Sequence, residues 1–179
     1  MNILSTNRNK ILLLILISFL IFIGWNYGVE TAYAKLLVTT SNISLGIINK
    51  DANIKYEKVD KDSELYHFKV TAVINGRRGS YPQEVGGILQ PLIIILAWQV
   101  FLFFVINIKL AFRSLLTNFS IYMLIQIIFL ILLSGYYNST AQQFVFSILL
   151  DSFYIIALIL IIKDNILFSV FSRGTNKKS

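Results

Sequence analysis

The stretch FVFSILLDSFYIIALILIIK, Phe144 to Lys163, carries one acid, Asp151, in an otherwise apolar run. Two amides have similar surroundings, Gln99 in IILAWQVFLFF and Gln126 in IYMLIQIIFLI. A carboxylate inside hydrocarbon costs a few kcal/mol on insertion scales, so it is expected to face other helices, find polar partners or hold a proton. A protonated Asp151 would donate to one glutamine oxygen and accept from the other amide, each bond stabilising helix contact by ~0.6–2 kcal/mol. The cluster Asp151, Gln126 and Gln99 then has three readings: glue between three helices, a dock for a polar group on another membrane protein, or part of a proton or substrate path. A path needs polar groups reaching both surfaces. Gln90, Tyr136 and Tyr137 extend one outward, and Asn107 alone extends it inward.

Other chemistry is narrowly bounded. The chain has no cysteine, which removes thiolate nucleophiles, disulfides and Cys-ligated metal, and with them any sortase-like cysteine enzyme. Its single histidine, His67, leaves no multi-His metal site, and it reads as a solvated side chain. No paired carboxylates or base beside a nucleophile occur at helical spacing, so no catalytic residue, metal or cofactor is assigned. An intramembrane Ser or Asp enzyme relying on His67 is the weakest alternative.

The elements that must position these residues follow from hydropathy. At 179 residues, 56% hydrophobic and 14% charged, the chain has more apolar surface than one soluble domain of this size would hide. A membrane span needs roughly 20 mainly apolar residues. Four segments qualify: Ile11 to Tyr27, Val85 to Ile108, Leu115 to Ser134, and Phe144 to Ile162. Depth counting at about 1.5 Å per residue places Asp151, Gln126 and Gln99 near the centres of spans four, three and two.

The net charge of +7 is distributed as a topology signal. Arg8, Lys10, Lys109, Arg113, Lys163, Arg173, Lys177 and Lys178 are balanced only by Asp164, whereas the stretch between spans one and two carries eight basic residues and seven acids. Positive-inside bias predicts both termini in the cytoplasm and residues 30–84 outside. The terminal SRGTNKKS reads as an anchor on anionic lipid, so no nucleic-acid partner is expected. Lys163 and Asp164 together read as a membrane edge. Ala32, Tyr33 and Ala34 form an A-x-A cleavage candidate, but the long apolar run before them favours an uncleaved anchor.

Between spans one and two, Val29, Tyr33, Leu36 and Leu37 keep helical spacing, either as an amphipathic helix on the outer membrane surface or as a prolongation of the first helix. NIKYEKV and ELYHFKVTAVI alternate as strands, with Ile54, Tyr56, Tyr66, Phe68, Val70, Ala72 and Ile74 on one face, and Asp60 to Ser63 supplies the turn of a hairpin. The turn-rich NGRRGSYPQEVGG follows. Its Arg77 and Arg78 are read either as an anion contact or as solvated loop residues near headgroups. The sequons at Asn42 and Asn138 are expected to be unused, because richness in Ile, Lys and Asn fits an AT-rich bacterial genome.

The expected fold is therefore an all-α membrane protein, a four-span transmembrane helical bundle with a small extracytoplasmic β-hairpin segment between spans one and two. Residues 1–28 form the cytoplasmic N-terminus and first span, 29–84 the outer segment, 85–163 the three-helix bundle and 164–179 a cytoplasmic basic tail.

YPQEVGGILQPLI, Tyr81 to Ile93, resembles the proline-, tyrosine- and glycine-containing approach to the second span in small membrane proteins associated with exosortases. Pro82, Gly87 and Pro91 match that pattern, with Val85 and Gly86 where aromatic residues are expected, and Tyr154 offers a further match. The resemblance implies a non-catalytic accessory or scaffold subunit in the bacterial plasma membrane. It would serve an envelope protein-processing or sorting system, contact membrane lipids, and bind another integral membrane protein through its spans and through Arg77, Arg78, Tyr81, Pro82 and Pro91. The rival expectation is a small transporter or proton-coupled subunit with Asp151 as its titrating group.

Overall fold

The computed structural model describes residues 6–60, 65–74, 76–84 and 86–171. Helix α1, Asn7–Gly24, opens at Thr6, whose hydroxyl accepts from the Asn9 N–H. It is apolar all round and leads into a wide turn, Trp25–Val29, where Gly28 takes φ +118°. Only glycine adopts that backbone without strain, so the turn sits where the sequence permits it. Helix α2, Glu30–Ile48, is thereby a separate element, and it packs on α5, Ile108–Ser134, and on strand β1, Asn53–Lys58. Tyr33 and Leu37 of the expected stripe are buried, while Val29 and Leu36 are exposed. The A-x-A candidate is helical, with Tyr33 and Ala34 inside the core.

β1 pairs antiparallel with β2, Tyr66–Ile74, as the alternation predicts, and Ile54, Phe68, Val70 and Ala72 are fully buried against α2 and α5. The turn at 61–63 lies outside the described residues. The structure corrects the rest of the hairpin reading. Arg77–Glu84, read as part of a turn-rich loop because of Asn75-Gly76 and Gly79, is a third strand, β3, in the order β1-β2-β3. Proline is tolerated there because β3 is an edge, where one side of the backbone needs no ladder partner. The other edge is blunted by Asn42 of α2: its amide donates to the Ile54 carbonyl at 2.8 Å and accepts from the Ile54 N–H at 2.9 Å, standing in for a neighbouring strand.

The expected second span is divided. A single turn, α3, Gly86–Leu89, precedes α4, Pro91–Val105, with Pro91 at its first position, where a missing N–H costs nothing. Asn107 caps α5 by accepting from the Lys109 N–H at 2.9 Å. Ser139 caps α6, Thr140–Phe168, accepting from the Gln142 N–H at 3.3 Å in a Ser-x-x-Gln pattern. α6 thus extends past Ile162, so the expected boundary at residue 164 falls inside it. Four helical segments, α1 with α2, Gly87–Val105, α5 and α6, are long and apolar enough to cross a membrane.

The ends of these helices sort into two levels. The sheet, the α2–β1 connection and the 135–139 turn lie at one end: the Tyr81 hydroxyl donates to the Leu133 carbonyl, and the Asn138 amide donates to the Val73 carbonyl. At the opposite end, Lys10 donates to the Val170 carbonyl at 2.6 Å, and Ile17, Phe101, Ala111 and Val170 share a second core cluster. Arg8, Lys10, Lys109, Arg113 and Lys163 therefore gather at the end away from the sheet, the side that the charge bias assigns to the cytoplasm. Arg173, Lys177 and Lys178 lie outside the described residues.

Candidate functional site

The buried acid is Asp164, not Asp151. Asp164 is 1% exposed, and three donors converge on its Oδ2: Gln99 Nε2 at 2.8 Å, Ser114 Oγ at 2.8 Å and Asn118 Nδ2 at 2.7 Å. Lys163 Nζ stands 3.4 Å from Oδ1 and also donates to the Asn118 Oδ1. The lysine contact orients the Asn118 amide, so its NH2 group must face the carboxylate. Three donors on one oxygen with a lysine beside the other supply the partners that make a buried acid tolerable between helices. The cluster joins α4, α5 and α6 near the end away from the sheet. Gln99 Oε1 is buried in this cluster without a partner among the described residues, and so is the indole N–H of Trp98, whose ring packs on Phe101 and Phe171.

Gln126 belongs to a different cluster. Its Nε2 donates to the Ile88 carbonyl and its Oε1 accepts from the Tyr33 hydroxyl, joining α5 to α2 and to the backbone of α3. The Tyr122 hydroxyl reaches the same carbonyl at 3.4 Å. Ile88 lies just before the break at Gln90 and Pro91, and Gln126 serves its carbonyl there.

The expected trio is therefore overturned. Gln99 and Gln126 are both fully buried, yet they serve separate clusters, and Asp151 meets neither. Asp151 lies on the exposed face of α6, on the other side from Phe153, Ala157, Leu160 and Asp164. Residues 151 and 153 are two apart, a rotation of about 200° on a helix, so equal depth did not imply a shared face.

The missed signal was on α5. Ser114, Asn118, Tyr122 and Gln126 recur every fourth residue, and all four are buried. Such a polar ladder on an apolar helix marks its inward stripe.

At the sheet end, Arg77 and Arg78 are exposed on β3, Pro82 is exposed on the same edge, and Tyr81 is half-buried against the bundle. Burial, with Tyr137 and Tyr136 nearby, pushes the Tyr81 phenol up. Pro91 is buried at the start of α4, which removes it as a surface contact. Glu57 accepts from Lys69 at 2.8 Å, which holds its carboxyl below the usual range, and His67 Nε2 stands 3.9 Å away. A hollow of 780 Å³ opens between the sheet and the Gly28 turn, with Trp25, Glu30, Tyr56 and Tyr66 among its walls. Burial, then the Glu30 carboxylate, pushes the Tyr56 phenol up to about 12. Among the described residues no three His, Cys, Asp or Glu side chains group to hold a metal ion.

The fold defines a class: a small, mostly helical chain with four helices able to cross a membrane and a three-stranded sheet fixed to one end. No family model, curated protein or solved structure matches it.

Proposed function

We propose that the chain is a non-catalytic accessory or scaffold subunit of the bacterial plasma membrane, inserted through its four apolar segments with both termini in the cytoplasm. In this reading it serves an envelope protein-processing or sorting system, as its resemblance to exosortase-associated proteins implies, and it presents the sheet outside the membrane to a partner. The observation that carries the reading is the sheet's attachment. Asn42, Tyr81 and Asn138 fix it to helices and turns of the bundle, while the β3 edge keeps Arg77 and Arg78 exposed. A rigid platform with an open edge and two guanidinium groups suits strand addition or an acidic surface. The buried polar groups between the helices support a structural role, since Asp164 is saturated by its own neighbours.

A photo-cross-linker replacing Gln83 in native membranes tests the proposal. It should give one discrete protein adduct that disappears in Arg77→Glu/Arg78→Glu while the protein remains in the membrane. Adducts with lipid alone, or a protein adduct indifferent to the two arginines, would refute the β3 platform.

A further inference from the structure

The exposed face of α6 holds a carboxylate that the rest of the chain leaves unserved. No described residue donates to Asp151, and the hydroxyls around it are committed elsewhere. Ser147 donates to the Gln143 carbonyl at 3.0 Å, Ser152 to the Ile148 carbonyl at 2.6 Å, and Tyr154 to Gln90 Oε1 at 3.3 Å. α6 has 29 residues, of which Asp151 is the twelfth. A bilayer core takes about 20 residues, so any such window within α6 includes Asp151.

Phe144, Ile148, Ile155, Leu158 and Ile162 are exposed around it. With Asp151 they repeat at alternating intervals of four and three residues along a single seam. Apolar residues on this face would suit lipid as well as protein, so they decide nothing alone. Asp151 decides: lipid gives a carboxylate no donor, whereas a single polar group in an apolar seam sets the register of a partner helix.

We infer that this seam docks a transmembrane helix of another protein, one that carries a lysine or arginine opposite Asp151. A second copy of this chain is poorly suited. On α6 itself the first basic residue after Asp151 is Lys163, twelve residues, about 18 Å, further along, and the helical lysine nearer the sheet, Lys35, is on α2 and not on this seam. Packing α6 on α6 would bring two carboxylates together. The inference deepens the accessory reading and rests on its claim that α6 crosses the bilayer.

The test uses the full chain in phosphatidylcholine vesicles. The probe is a labelled polyleucine peptide of about 20 residues with one central lysine, compared with its all-leucine counterpart. Energy transfer should report binding of the lysine peptide to the wild type, weakened roughly three- to thirty-fold in Asp151→Leu. A photo-cross-linker replacing Ile155 in native membranes should join a different protein at a helix with a basic residue within one turn of the adduct. Equal binding of both peptides by protein retained in carbonate-washed vesicles overturns the inference alone, and protein stripped by that wash overturns the membrane reading with it. An adduct of the chain with itself also overturns the inference.

Discussion

Asp164→Leu is the sharpest perturbation of the buried cluster, because its cost can be worked out from the three bonds that converge on this carboxylate. Leucine fills a similar space but leaves Gln99 Nε2, Ser114 Oγ and Asn118 Nδ2 with no acceptor at 164. Interhelical hydrogen bonds in membranes contribute about 0.6–1.5 kcal/mol each, so three lost bonds destabilise the bundle by about 2–4 kcal/mol. Lys163 adds little, since its side chain is 36% exposed and can extend toward water. Asp164→Asn keeps one oxygen facing the donors and should cost about 1 kcal/mol. Asp151→Leu, on the outer face, should cost nothing in the isolated protein. Unfolding in mixed micelles by added dodecyl sulfate, followed by fluorescence of the two tryptophans, gives the three values. The expected order is Asp164→Leu, then Asp164→Asn, then Asp151→Leu. An Asp164→Leu protein as stable as the wild type, or an Asp151→Leu protein less stable than it, would refute the argument.

Gly28 and Gly24 should respond to alanine with opposite signs, although neither would meet a neighbouring atom. Gly28→Ala forces a side chain into φ +118° and should destabilise by about 1–2 kcal/mol, whereas Gly24→Ala in helical backbone should stabilise by about 0.5–1 kcal/mol in the same micelle titration. Equal effects would mean that the turn is not held by its glycine. In the sheet, the Glu57 carboxyl should titrate below the ordinary 4.5, because Lys69 donates to its charged form. The pair's contribution is then complete above the unfolded value and fades as pH falls through the lower folded one. Carboxyl-carbon NMR checks this: Lys69→Met should raise the Glu57 midpoint, and a wild-type midpoint at or above 4.5 would refute the pairing.

The apolar segments were legible because membrane-crossing length is a count, and counts need no partner. The strands β1 and β2 were legible because alternation shows which side is dry, and Ile54, Phe68, Val70 and Ala72 are buried as the pattern requires. β3 was not, since Asn75-Gly76 and Gly79 read locally as breakers, and Pro82 is acceptable in a strand only at the edge position that β3 takes. The sites were less legible still. Depth counting fixes a residue's level along a helix but not its direction around it. Gln99 and Gln126 were assigned inward correctly, and Asp151, at a similar level, was not. Asp164 was set aside because Lys163 beside it looked like a membrane edge, whereas both side chains join one buried polar cluster and α6 continues past them to Phe168.

One physical difference separates the two acids of α6. Asp164 is surrounded by its own chain's donors, with an α5 ladder spaced to meet it, so its hydrogen bonds are completed when the bundle folds. Asp151 has no such provision on any described element, although a neutral residue there would fit the apolar seam better. A carboxylate that destabilises the isolated protein in lipid and contributes nothing to its core is explained by an interaction outside the chain. The fold therefore divides its polar chemistry, with the inward cluster holding the bundle together and the outward acid selecting what lies against it.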